Sequence, residues 1–397
     1  MIKIIKRPTK KQLVWTIIGA VCLFAAILLT VFSARIKNSQ PSQQMAERWD
    51  SEGQSAQISC FFSSGLSVTP DTIRAFEHTM ENQLETASIT APAENARLWV
   101  DAYSAKGKIT LSTTHGSTDA NAYGVGGDYF MFHPLGLEAG GMYFSGSDLM
   151  QDRVILDQNT AWQLFGSYDV AGQPITIGSG ANSHTGVVAG VVESESGWMN
   201  EKAGAQTGTV YVSYEVLNTF GSHSGINSYE VVMPNPVTGF AKNMVTENIG
   251  LNESEIEVVE NSSRYSFLSL LSVLGQFGTR SMNAKAIIYP YWENAARGWE
   301  DVLSIVLLFQ ILFYLVPVIL VLAVLIKLWK KRRFHFSDVK EWLADRQEAR
   351  WARQAQKKAE AAEEPKGKEK EKQSKPKREK KIRGFARKEE GENEKNS

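Results

Sequence analysis

The residues whose spacing could do chemistry are two glycine-rich stretches, Gly124-Val125-Gly126-Gly127 and Gly178-Ser179-Gly180-Ala181-Asn182-Ser183-His184. Such loops can turn successive backbone N–H groups toward a phosphate. The second lacks the Gly-Lys-Ser/Thr ending that holds a nucleotide's phosphates, and a loop at a turn is the better reading. The sequence contains no Gly-x-Ser-x-Gly nucleophile turn, no His-Glu-x-x-His, and no Cys/His cluster at metal-ligand spacing. His78, His115, His133, His184 and His223 fall singly and read as surface or packing histidines. An acidic centre could bind a cation or a basic peptide, but a merely solvated acidic surface is the better reading. No catalytic, cofactor or metal site is expected, and the chain reads as a non-enzyme.

The elements around these stretches follow from charge and hydropathy. The 397 residues balance 43 Lys+Arg against 43 Asp+Glu, yet the charges are segregated. Residues 1–12 carry five positive charges and no acid, the part from Lys327 onward carries a net of +10, and the centre carries −15. Val14–Phe32 and Val302–Ile326 contain no charged residue. About 20 such residues cross a hydrocarbon core as a helix. The first run is longer than the roughly 7–15 apolar residues of a signal peptide, and Phe32-Ser33-Ala34 puts a bulky side chain at the candidate cleavage site. Both runs are therefore expected as retained spans, 13–34 and 301–327. Lys and Arg crowd the N-terminal flank of the first and the C-terminal flank of the second, which predicts cytoplasmic termini and an extracytoplasmic part over 35–300. Trp15, Tyr289, Tyr291, Trp292 and Trp299 suit interfacial aromatic belts. Cys22 lies in the first span and cannot pair with Cys60, which sits in the apolar run Ile58-Ser59-Cys60-Phe61-Phe62 and reads as a buried thiol.

Within the extracytoplasmic part, Ser39–Gly53 reads as a connection or a helical extension, and Gln57–Phe62 as a buried strand. Thr69-Pro70-Asp71 starts a helix with Ile73, Phe76, Met80 and Leu84 on one face. Leu98–Tyr103 and Lys108–Thr113 read as strands joined by a hairpin turn at Ala105-Lys106-Gly107. The region 121–215 is mostly strand and loop, except for a helix capped by Asp157 and ended by Gly166. Strands are expected at Pro174–Ile177, Gly186–Val192, Thr209–Val212, Ser228–Met233 and Glu255–Val259, and a helix at Val237–Ile249. The fold class predicted is an α+β extracytoplasmic domain between two transmembrane helices. It comprises a βαβ-type subdomain (57–115 plus 226–262), an inserted β-rich subdomain (121–215) and a membrane-proximal segment (264–300).

Arg264–Phe277 is apolar on more than one face and too short to span. It could pack under the domain, lie at the interface or meet a partner helix. The second span holds Gln310 and Pro317. Gln310 either pairs with a group on another helix or is a tolerated lone polar residue, and Pro317 removes one helical hydrogen bond. Residues 328–364 read as a charged cytoplasmic helix capped by Ser337. Residues 365–397 read as a disordered tail whose Lys/Arg clusters suit anionic lipid. No recognition module accompanies that charge, so nucleic acid is not an expected partner.

The stretch 121–192 resembles the extracytoplasmic core domain of the MacB/FtsX-like family of ABC transporter permeases. The residues that carry the resemblance are Gly127-Asp128-Tyr129-Phe130, then Gly140 with Tyr143-Phe144, then Ala161 and Leu164-Phe165-Gly166, then Gly172, and finally Val188, Gly190 and Val191. Gly141 stands where the family usually has Arg. Members typically carry four membrane helices, so the resemblance implies a two-helix variant lacking the last two. It further implies a permease-like subunit of an export or mechanotransmission complex. ATP would act only through a separate ATPase subunit, and an ABC ATPase, a multi-span permease subunit and the lipid bilayer would be partners. The alternative is a membrane-anchored binding or scaffold protein.

Overall fold

The computed structural model describes residues 9–91, 96–140, 152–277, 279–280, 285–331 and 344–356. Tyr143-Phe144, Ser337, the basic residues Lys3, Lys6 and Arg7, and the 365–397 tail therefore lie outside the described residues. The chain divides into two units, 1–324 and 325–397. In the second, 344–356 is a helix exposed along its length.

In chain order the first unit runs through α1 (Lys10–Asn38), a 3₁₀ turn (Pro41–Gln43), α2 (Met45–Trp49), β1 (Ser55–Phe62), α3 (Pro70–Thr86), β2 (Val100–Ser112) and β3 (Ser117–Gly127). It continues with α4 (Tyr129–Phe132), β4 (Leu137–Ala139), β5 (Arg153–Asp157), α5 (Gln158–Phe165), β6 (Pro174–Ser179), β7 (Asn182–Val192), α6 (Trp198–Lys202), β8 (Thr209–Ser213) and α7 (Tyr214–Phe220). β9 (Ser222–His223), β10 (Ser228–Pro234), α8 (Phe240–Asn248), β11 (Ile256–Glu260), α9 (Phe267–Gly275) and α10 (Tyr291–Lys331), whose last residues fall past 324, complete the order.

The strands form one eleven-stranded mixed sheet in the order β11-β1-β10-β2-β3-β8-β5-β7-β4, with β6 on β2 and β7, and β9 on β2. The β3–β8 and β5–β7 pairs are parallel and the others antiparallel. The fold is thus α+β with a mixed sheet, as expected. A single sheet runs through both the 57–115 plus 226–262 segments and the 121–215 insertion, because β2 and β3 pair from Ala102↔Gly127 to Ser112↔Ser117.

Both faces of the sheet are covered. Along β1, Ala56, Ile58, Cys60 and Phe62 face the larger core, with Ile73, Phe76, Met80 and Leu84 of α3 and Ala241 and Val245 of α8. The period of two along the strand meets the three-and-four spacing of the helix, so the α3 face matches its expectation. Burial pushes the Cys60 thiol far up, which keeps it protonated and inert. On the opposite face, Met45 and Ala46 of α2, Tyr129 and Phe132 of α4, and Trp292 of α10 pack on Val100, Ala102, Val125 and Val232.

Two expectations are corrected and one pair of alternatives is decided. The hairpin turn is at Thr113–Gly116, where Thr113 N donates to Gly116 O at 2.8 Å, and Ala105-Lys106-Gly107 lies inside the unbroken β2. Gly107 is there for clearance, since a Cβ would sit 2.2 Å from the Ser222 carbonyl oxygen of β9. Gly124-Val125-Gly126-Gly127 is likewise strand, not loop: a Cβ at Gly126 would meet the Tyr103 ring at 2.1 Å. The second glycine stretch is the β6–β7 hairpin, with Ser179 paired to Asn182. Finally, Ser39–Gly53 does not extend the first span. Helix α1 ends at Asn38, and the following residues fold onto the sheet, burying Gln43, Met45 and Ala46.

Helix α5 shows how local chemistry sets an element. Asp157 Oδ1 accepts from Thr160 N at 2.8 Å, its Oδ2 accepts from Gly208 N at 2.7 Å, and Gly166 closes the helix at φ 67°. Asp157→Ala strands both N–H groups and is expected to lower stability by about 1–3 kcal/mol. Urea unfolding of the detergent-solubilised full chain, followed by tryptophan fluorescence, measures it, and Asp157→Asn should recover part of the loss.

Candidate functional site

Helix α10 is 41 residues long, about 62 Å at 1.5 Å per residue. A span needs about 20 residues, so the helix greatly exceeds the predicted 301–327. Its first eleven residues, 291–301, belong to the domain. Here Trp292 is 4% exposed. Its ring lies 4.3 Å from that of His133 and 5.5 Å from that of Tyr123, beside Tyr129 at 6.2 Å. Tyr291 is half-buried beside Glu195; burial lifts that carboxyl, with hydrogen bonds from Tyr291 and Asn200 working against the rise. Tyr289 packs edge-on against Phe61 at 5.3 Å. Tyr289, Tyr291 and Trp292 are therefore domain packing groups and not an aromatic belt, because the helix enters the domain before it reaches the apolar run.

Glu293, Arg297 and Glu300 lie at i, i+4 and i+7 on one face of α10. They meet Arg264, which is 4% exposed. Arg264 donates through Nη1 to Glu293 Oε2 at 2.7 Å and to Gln43 Oε1 at 2.6 Å, and it also pairs with Glu293 Oε1 and Glu300 Oε1. Arg297 Nε donates to Glu293 Oε1 at 2.7 Å, and its guanidinium stands 3.9 Å over the Tyr289 ring. Arg280 pairs with Glu300 and, at 2.6 Å, with Asp301. Three arginines balance three carboxylates. Burial raises the Glu293 carboxyl, but Arg264 and Arg297 outweigh it and hold the group below the usual range. Burial pulls Arg264 down, and Glu293 more than compensates. One guanidinium thereby ties the chain after α1 (Gln43), the chain before α9 (Arg264) and the start of α10.

A second buried chain of hydrogen bonds runs beside it. His133, 3% exposed, meets Ser42 Oγ at 3.0 Å through Nδ1 and the Glu230 carboxylate through Nε2. Ser59 Oγ donates to Glu230 Oε1 at 2.7 Å, and Asn261 Nδ2 donates to Ser59 Oγ at 2.7 Å. Gln57 Nε2 donates to the Ser42 carbonyl at 2.7 Å. These polar residues occupy the face of β1 and β10 opposite the larger core, and they hold the 42–45 segment on the sheet.

The two spans pair with each other. Gln310 Nε2 donates to Ser33 Oγ at 3.1 Å, the Thr30 and Tyr314 hydroxyls meet at 3.1 Å, and Gly19 leaves room for Leu320. Gln310 thus has its partner on α1 of the same chain. Pro317 sits inside an α10 that continues past it.

The family-signature residues do not converge. Gly127 (φ 64°) lies where a Cβ would be 2.5 Å from Asp101 O, and Tyr129 is central to the aromatic cluster by Trp292, with Phe130 against it. Ala161, Leu164, Val188 and Val191 are core residues, and Phe165 packs on them. Gly166 and Gly172 (φ 82°) end a helix and a turn, Gly190 lies in β7, Gly140 ends the described part of its loop, and Phe144 is outside the described residues. None touches a reacting group. Among the described residues no cluster of three or more His, Cys, Asp or Glu is arranged to hold a metal ion. The Arg264 junction was missed by sequence reasoning. Its only local signal was the Glu-x₃-Arg-x₂-Glu spacing of 293, 297 and 300.

The chain matches no protein-family model and no curated protein. Among solved structures it is similar to the periplasmic region of MacB from Actinobacillus actinomycetemcomitans, at 18% identity over 53% of this chain and 92% of that one, with a TM-score of 0.36. It is also similar to the extracellular domain of the noncanonic ABC-type transporter YknZ from Gram-positive bacteria, at 17% identity over 51% of this chain and 99% of that one, with a TM-score of 0.31.

Three predictions follow from the geometry. Arg264→Met leaves Glu293 and Glu300 buried with a missing partner and is expected to cost about 3–5 kcal/mol in chemical unfolding. Because the folded-state Glu293 carboxyl titrates below its usual value, its contribution is whole above about pH 4.5 and is lost as pH falls through the depressed value. An acid titration of wild type should show this loss, and Glu293→Gln should flatten it. In the spans, S33C and Q310C are expected to form a disulfide on mild oxidation, read as a shift in non-reducing electrophoresis after cleavage between residues 33 and 310.

Proposed function

We propose that the chain is a permease-like membrane subunit of an ABC-type export or mechanotransmission complex, with both termini cytoplasmic. Its extracytoplasmic domain relays motion or binds substrate or partner. The observation that carries this reading is the unbroken α10, which runs from the Trp292 cluster into an apolar span and is clamped by Arg264 to the segment that follows α1. A displacement of the paired spans reaches the sheet through buried side chains and not through a flexible linker. The signature residues at 127–191 support the same reading.

The chain carries no nucleotide-holding motif of the kind sought above. In this reading, ATP binding and hydrolysis belong to a separate ATPase subunit, and a multi-span permease subunit completes the membrane part. The tail's lysines and arginines would rest on anionic lipid.

A second reading, a membrane-anchored binding or scaffold protein without transport, is favoured by one observation. Gln310 is satisfied by Ser33 within the chain, so this amide does not call for a third helix. Purification of the full chain from its native membrane in mild detergent separates the two. The transport reading expects an ATPase or a multi-span subunit to co-purify in fixed ratio. Recovery without either sinks that reading and leaves the anchored binder.

A further inference from the structure

We propose that α9, together with the neighbouring Trp198, forms a lipid-facing underside that lies in the headgroup region of the extracytoplasmic leaflet. The inference rests on reading α1 and α10 as membrane spans. Ser266 caps α9 by accepting from Ser269 N at 3.3 Å, and the helix then presents two unlike faces. Leu270 points inward and packs with Leu303 and Leu307 of α10, with Ile36 of α1 alongside. Phe267, Leu268 and Leu271 point away from the protein and are 54%, 74% and 43% exposed. They fall at i, i+1 and i+4, a single apolar stripe.

The depth of that stripe is fixed by what Leu270 touches. Leu303 and Leu307 open the apolar run that begins at Val302, and Ile36 lies one turn beyond Phe32 at the end of the other run. Helix α9 therefore sits at the level where both spans meet the extracytoplasmic surface. Large apolar side chains facing outward at that level meet acyl chains and glycerol backbones. Trp198 gives an independent mark of the same level. It is 60% exposed and stands 6.1 Å, ring to ring, from Trp299, which is one helical turn before Leu303. Tryptophan is enriched at this boundary.

The chemistry also sets what kind of lipid contact this is. From Tyr265 to Thr279 the sequence holds no charged residue, and the flanking Arg264 and Arg280 are both engaged in ion pairs. The surface inserts by apolar contact. It does not depend on anionic headgroups or on low salt, unlike a polybasic segment.

The test uses the full chain with Cys22→Ser, where the remaining native cysteine, Cys60, is fully buried. Nitroxide labels are placed at L268C and, as a reference within α10, at I319C. The protein is reconstituted in phosphatidylcholine nanodiscs, and collisions with oxygen and with a water-soluble nickel chelate are measured by electron paramagnetic resonance. The expected result is oxygen access exceeding nickel access at both sites, shallower at 268 than at 319, and unchanged by added anionic lipid or salt. Nickel access at 268 with 319 still in lipid places α9 in water and overturns the inference while leaving the spans intact. Protection of 268 from both reagents means that a second copy or another protein covers the face, which also overturns it. Nickel access at 319 instead sinks the membrane reading itself.

Discussion

A guanidinium removed from water must find its acceptors inside the protein, and Arg264 finds them on two other pieces of chain. Gln43, Glu293 and Glu300 are supplied by the segments leaving the first span and entering the second. A buried ion pair of this kind adds little net stability over a well-packed apolar replacement, while leaving one partner alone is costly. What the arrangement supplies is geometry. The bidentate contact with Glu293 fixes the rotation of α10 about its axis. That rotation decides that Trp292 faces the sheet and that Leu303 and Leu307 face α9. The aromatic cluster, the seating of the 42–45 segment and the level of α9 all depend on it.

The sheet completes the connection. Segments 55–62 and 228–234 present apolar residues to the larger core and polar ones, Gln57, Ser59 and Glu230, to the junction. Hydrogen bonds from His133, Ser59 and Asn261 pair the Glu230 carboxylate and the Ser59 hydroxyl, which otherwise would each carry a desolvation cost, and leave the buried Asn261 Oδ1 unpartnered. The thirteen-residue β2 and its partner β3 then carry the sheet from the membrane-side junction into the half built by β5, β7 and β8.

How much of this could be read from the sequence depended on the distance over which each feature is determined. The α3 face, the Asp157 cap and the Gly166 stop were legible because each is set within a few residues. The two long apolar helices were legible because each carries an uncharged run of about twenty residues, although the second begins well before its run. Ala105-Lys106-Gly107 misled because a glycine that clears a neighbouring carbonyl and a glycine that makes a turn look the same in one dimension. Tyr291 and Trp292 misled because an aromatic next to an apolar run suits an interface as well as a core. The Arg264 junction was hidden for a different reason. Gln43, Arg264 and Glu293 are each ordinary surface types, and over two hundred residues separate the first from the second.

The pairing of α1 with α10 restricts how the two apolar helices can move relative to each other. Ser33 with Gln310 and Thr30 with Tyr314 stand at successive levels of an antiparallel pair, each at hydrogen-bond distance. Sliding one helix past the other by a single residue, about 1.5 Å, would stretch both hydrogen bonds past their usual length and shift Leu320 from its place beside Gly19. A piston stroke of one span alone is therefore disfavoured. On the proposed relay reading, the two helices would tilt or turn as a single strut, and the sheet would be rocked and not pulled.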